Sequence, residues 1–216
     1  MSIDPVTLAV LQGRLEQVVD EMDATLFRSA FNPIIAEAHD ASHGIYDRLS
    51  GATLAQGKSG LPIFVGAMSF AVKLVIDKVA RDGGLKDGDV FIFNDPYEGG
   101  THLSDFKLVR PVFRQGELYC YMASVGHWHD VGGNVPGNYN PAATESFQEG
   151  MLIPPVKLID GGGVPSQDII DILCANSRQP VSLYGDLNGQ INALDLGVER
   201  LGELLDEYGD AVVEEA

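Results

Sequence analysis

The sequence predicts an α+β fold, a mixed or antiparallel sheet with flanking helices and long ordered loops. Three observations predict it. Apolar residues recur at helical spacing near both ends, over 8–26 and 187–205. Two apolar runs, 107–113 and 118–125, flank Arg114-Gln115-Gly116-Glu117, which is a hairpin signal. Residues 132–163 are rich in Gly, Pro and Asn yet keep apolar residues such as Met151-Leu152-Ile153, the mark of an ordered loop and not of a linker.

Each element has a local reason. Asp4 is a good N-cap, Pro5 suits the first helical position, and Ile3 and Leu8 have the spacing of a hydrophobic staple. Leu8, Leu11, Leu15, Val18, Met22 and Leu26 then form one helical face, which ends near Phe31 before Asn32-Pro33. Residues 34–60 read as irregular structure with a short strand at Gly44-Ile45-Tyr46. A second helix opens near Pro62, carries Met68, Val72, Val75 and Val79 inward, and stops at Gly83-Gly84. Residues 89–94 read as a buried strand, 165–175 as a helix, and 185–216 as a C-terminal helical segment with the stripe Leu187, Ile191, Leu194, Val198, Leu201 and Leu205. No internal repeat divides the chain, so 1–216 is expected to be a single domain.

Composition excludes several functions. The 216 residues carry 14 Lys+Arg against 31 Asp+Glu, a net charge of −17. That charge argues against nucleic acid and anionic lipid as partners. No apolar run reaches the length of a membrane span. Met1-Ser2-Ile3-Asp4-Pro5 has neither the basic nor the apolar part of an export signal, so a cytoplasmic location is expected. Cys120 and Cys174 are too few for a disulfide framework. Residues 51–59 imitate a phosphate loop, but five residues separate the glycines where the motif needs four, and Gly60-Leu61-Pro62 cannot continue as its helix. No dinucleotide fingerprint and no Gly-x-Ser-x-Gly elbow is present.

All five histidines fall between positions 39 and 129. A two-residue turn at Gln115-Gly116 pairs Arg114 with Glu117 and, further along, Ser104 with His127 and His102 with His129. A bulge would shift this register by one without separating the groups. His102, Asp105 and His127 therefore converge at the foot of the hairpin. Two imidazoles and a carboxylate without a thiolate suit a divalent metal (manganese, iron or zinc) with room for water or substrate. Asp40 is a candidate fourth ligand. His129 competes with His127, since the two share a face if the strand runs that far. Asp130 could instead orient a ligand histidine. Cys120 reads as a buried small residue and Trp128 as packing.

The runs Asn94-Asp95-Pro96-Tyr97-Glu98-Gly99-Gly100-Thr101-His102-Leu103-Ser104-Asp105 and Gly126-His127-Trp128-His129-Asp130-Val131-Gly132-Gly133 resemble the hallmarks of the hydantoinase B/oxoprolinase family. Asp4-Pro5-Val6-Thr7-Leu8, Ile153-Pro154-Pro155-Val156-Lys157-Leu158, and Gly185-Asp186-Leu187 with Gln190 are similar too. The resemblance implies a metal held by His102, Asp105 and His127, with Asp40 as the fourth ligand. It also implies a hydantoinase A-like partner subunit that binds ATP and phosphorylates a small-molecule substrate, so that ATP acts only through the partner. Family members are longer, which implies a further chain supplying a C-terminal part. Ala38-His39 and Phe64 depart from the arginine and histidine common in the family, and His129 falls at a variable position. The Gly-His-Trp form at His127 leans toward acetone and acetophenone carboxylases. A cyclic-amide hydrolase is the alternative, and a non-catalytic subunit with a structural metal is a third reading. In either enzyme His129 or Asp130 is the expected proton shuttle.

Overall fold

A computed structural model describes residues 3–215. Met1 and Ser2, on which part of the export-signal reading falls, lie outside the described residues. Helix α1 spans Pro5–Ser29, with Asp4 accepting from the amides of Val6 and Thr7, and buries Leu11, Val18, Met22 and Leu26. The one-turn α2 (Pro33–Ala36) follows its cap Asn32. Strands β1 (Ala41–Asp47) and β2 (Thr53–Gln56) precede α3 (Ile63–Asp82). Next come β3 (Val90–Phe93), β4 (Asp105–Arg114) and β5 (Glu117–His127). A 3-10 turn at Ser146–Gln148 leads to β6 (Val156–Ile159), then α4 (Gln167–Ala175), α5 (Pro180–Tyr208) and α6 (Asp210–Glu215).

The six strands form one sheet in the order β2-β1-β5-β4-β3-β6, and every pairing is antiparallel. The mixed alternative is thereby removed. Strand alternation turns one set of side chains (Ile45, Phe106, Leu108, Met122) toward α1 and α5, and the other (Tyr46, Val109, Tyr121, Val125) toward α3. The sheet is thus covered on both faces. That explains the unbroken apolar run of β3, which is buried at all four positions.

Three local expectations need correction. Residues 34–60 hold two strands where one short one was expected. The 132–163 loop contains β6, whose four residues begin straight after Pro154-Pro155. The last helix starts at Pro180, five residues before Gly185, and breaks at Gly209. Its inner glycines reflect close packing: a Cβ at Gly189 would lie 2.9 Å from Leu26 Cδ1, and one at Gly197 2.6 Å from Met22 Sδ. Among the described residues no helix is long and apolar enough to cross a membrane.

Candidate metal centre

The site is built by the β4–β5 hairpin. Gln115 (φ 53°) and Gly116 (φ 85°) both take left-handed backbone, as a two-residue hairpin turn requires. Arg114 faces Glu117, and a bulge at Val112/Phe113 then shifts the register by one residue. As a result Asp105, and not Ser104, stands opposite His127. The expected pairing of His102 with His129 does not form, because β4 begins at Asp105 and β5 ends at His127. His102 reaches the site from the preceding loop, through a turn in which the Asp105 amide donates to the His102 carbonyl at 3.0 Å.

The ligand atoms of His102, Asp105 and His127 lie within 4.8 Å of one another. His102 Nδ1 is 2.8 Å from Asp105 Oδ2, and His127 Nδ1 is 3.2 Å from Asp105 Oδ1. The two imidazoles meet edge to face, with centroids 4.9 Å apart. Asp40 sits beside them. Its carbonyl accepts the His127 amide, and its Oδ2 is 3.6 Å from His127 Nδ1. Asp105 is buried whereas the His102 side chain is 56% exposed, so the cluster is closed behind and open in front. The open side faces a cavity of about 410 Å³ lined by Leu103, Tyr139, Pro141 and Glu149.

Burial pushes the Asp105 carboxyl up, but its pairing with His102 and the nearness of the His127 imidazole outweigh this and hold it well below the usual carboxylate range. The same bond from Asp105 raises the pKa of His102 against the opposing effect of burial. Burial raises that of Asp40, while the His127 charge opposes it. Two buried atoms, Asp105 Oδ1 and His127 Nδ1, make no hydrogen bond although they face each other. A buried polar pair left this way is costly. Two imidazoles and a carboxylate, with those two atoms unsatisfied, fit a divalent cation of borderline hardness.

The remaining candidates behave differently. His129 is exposed and lies beyond the end of β5, so strand alternation does not place it with His127. Asp130 is buried and occupied. It accepts from the amides of Gly132, Gly137 and Arg178 and from the Arg178 guanidinium, which together hold its pKa down against burial. It therefore pins the loop that borders the cavity, and it makes no bond to a ligand histidine. Lys107 was missed, having been read as the start of an apolar run. It is fully buried, its ammonium donates to the Asp105 carbonyl at 2.9 Å and to Thr101 at 3.3 Å, and burial lowers its pKa to about 8 against the pull of Asp105. Thr101 in turn bonds the Asp105 carboxylate. The available signal was position: Lys107 is two residues from Asp105 on one strand and hence on the same face.

The hydantoinase B/oxoprolinase family model matches residues 4–216. The chain belongs to the hydantoinase B/oxoprolinase family. Its relatives within that family include the caprolactamase subunit beta of Pseudomonas jessenii, 40% identical over 208 residues, covering 96% of this chain and 35% of the relative. The 5-oxoprolinase of Dictyostelium discoideum is 30% identical over 211 residues, covering 98% of this chain and 16% of the relative. The crystal structure of the ATP-dependent caprolactamase from P. jessenii superposes with a TM-score of 0.87 at 37% identity, over 100% of this chain and 37% of that one. The nucleotide-free structure of acetone carboxylase, described for ATP-dependent acetone carboxylation, gives 0.90 at 25% identity, over 99% and 28%. The chain thus spans about a third of the caprolactamase subunit's length.

Proposed function

We propose that this hydantoinase B-like chain is the metal-binding part of an ATP-dependent enzyme acting on a small molecule, with hydrolysis of a cyclic amide as its reaction. The observation that carries the metal is the convergence of His102, Asp105 and His127 around two unsatisfied buried atoms, Asp105 Oδ1 and His127 Nδ1. The caprolactamase likeness supports a cyclic amide over a ketone, since it is the stronger of the two in identity. Carboxylation is the second reading, favoured by the TM-score of 0.90 to acetone carboxylase. A purely structural metal would be fully enclosed by protein ligands. Here the cluster opens to a cavity on the His102 side.

His102, Asp105 and His127 would hold manganese, iron or zinc, with Asp40 completing the set. The bound cation would supply Lewis acidity toward an oxygen of the activated substrate. Asp105 stays ionised and buried, so it brings a fixed negative charge. Lys107 ties the Asp105 backbone to Thr101, next to His102, and so braces the loop that delivers that histidine. Asp130 and Arg178 hold the loop at the cavity's rim, and Tyr139 and Pro141 give it apolar surface for a ring. An A-type partner subunit would bind ATP and phosphorylate the substrate, and a further chain or segment would supply the rest of the family length. The test is His102→Ala in the assembled complex, assayed for metal content and turnover. Loss of both is expected. Full metal with full turnover would overturn the proposal.

A further inference from the structure

We propose that Gln190 and Asn32 are positioning residues that set the separation of Asp105 and His127 from behind the sheet. The inference rests on reading the cluster as a metal centre. Gln190, on α5, is fully buried. Its Nε2 donates to the Phe106 carbonyl at 3.1 Å, and its Oε1 accepts the indole N–H of Trp128 at 2.9 Å. Phe106 follows Asp105 and Trp128 follows His127, so one amide spans the two ligand-bearing segments, one residue past each ligand. The rings of Phe106 and Trp128 stack at 3.9 Å, which keeps the two segments in step. The β4–β5 ladder ends with the Asp105–His127 pair, beyond which one backbone bond, from the Trp128 amide to the Ser104 carbonyl at 2.8 Å, still joins the two segments, and the Gln190 amide adds a side-chain bridge at that end. The amide crosses the strand at Gly126, where a Cβ would lie 3.3 Å from Gln190 Cδ.

The orientation of this amide follows from chemistry. An indole N–H only donates, so Gln190 must present its oxygen to Trp128 and its nitrogen to Phe106 and to Ser124 Oγ, 3.2 Å away. Ser124 Oγ in turn hydrogen-bonds His43 Nε2 at 3.0 Å, and His43 Nδ1 hydrogen-bonds Asp23 Oδ1 at 2.7 Å. A flipped amide would set two donors face to face at Trp128. Asp23, His43 and Ser124 have the composition of a hydrolase triad. All three are fully buried with their partners inside the core, so they lock Gln190 and attack nothing.

A second support acts on the His127 backbone. Asn32 Nδ2 donates to the His127 carbonyl at 2.6 Å while its Oδ1 caps the Ile34 amide. Asp186 on α5 accepts from the amides of Phe31 and Asn32, which fixes that asparagine in turn. Helix α5 therefore reaches both ligand strands through polar groups whose alternatives are all worse.

The experiment titrates Co(II) into the full chain and records affinity, the visible spectrum and the metal-free Tm. The variants are Gln190→Met, Asn32→Ser (which keeps an N-cap oxygen but is too short to reach His127) and Leu187→Ala as a core control on α5. Gln190→Met and Asn32→Ser are expected to weaken Co(II) binding about 10–100-fold, as losing a group that orients a ligand does, and to alter the spectrum. Leu187→Ala is expected to lower Tm with affinity and spectrum unchanged. Wild-type affinity in both test variants, or an equal loss in the control, overturns the positioning role alone. If Gln190→Met does not fold, Asn32→Ser decides. A wild-type chain that takes up no Co(II) overturns the metal centre and this inference with it.

Discussion

Two histidine–aspartate pairs sit on opposite sides of the sheet. His43 and Asp23 are fully buried, and both ring nitrogens of His43 are bonded, one to Asp23 and one to Ser124. The unsatisfied oxygen of that pair, Asp23 Oδ2, is sealed by the Gly57 backbone, where a Cβ would lie 2.0 Å away. On the other side, His127 Nδ1 and Asp105 Oδ1 are left without bonds at the mouth of a cavity. The same residue types therefore make a closed brace in one place and a candidate cation site in the other. Saturation of the imidazole nitrogens and access to a cavity separate the two. His39 shows a third use, stacking flat on Phe27 at 4.1 Å.

Breaking the brace is expected to have the largest effect. His43→Leu leaves Asp23 buried and unpaired and should cost about 3–5 kcal/mol of stability. Urea denaturation measures it, and a loss below about 1 kcal/mol would mean that the brace carries little. Titration sharpens the contrast at the open site. The pKa of His102 is raised above its ordinary value of 6.5 by Asp105. In the metal-free chain the stabilisation from this pair should be fully present below the unfolded pKa and should fade as pH rises through the folded one. Cation affinity should run the other way and rise with pH over that window, because ligation needs neutral imidazole. Parallel slopes in chelator-treated and Co(II)-loaded chain would contradict this. The smallest effect is expected at His129. Exposed and outside the cluster, it should tolerate alanine within about 0.5 kcal/mol in thermal melts. An unchanged Co(II) affinity would place it apart from the ligands.

Much of the fold was legible because long amphipathic periodicity survives any tertiary context. Met22 and Leu26 on α1, and Leu187 and Leu194 on α5, are buried as their spacing required. The four-residue strands β2 and β6 were not legible, since so short a segment carries too few alternations to stand out from loop. The start of α5 was missed because Gly185 looks like a breaker, whereas it is there to admit Phe31. At the site, the turn at Gln115-Gly116 was enough to bring His102, Asp105 and His127 together. The bulge that sets Asp105 opposite His127 has no sequence mark. The roles of Asn32 and Gln190 were not legible for a similar reason: a buried polar residue is recognised by its partners, and theirs are distant in the chain.

By itself the sequence determined the helices, the hairpin and the residue types that gather at its foot. These depend on local periodicity and turn chemistry, which act over a few residues. Only the tertiary structure decided which histidine is saturated and which is open, and what holds the two ligand strands at their spacing. Those outcomes depend on hydrogen bonds such as Gln190 to Trp128 and Asn32 to His127, made by groups 62 and 95 residues apart. Nothing at either position alone encodes such a bond. It exists only once the helices and the sheet have packed and closed off water.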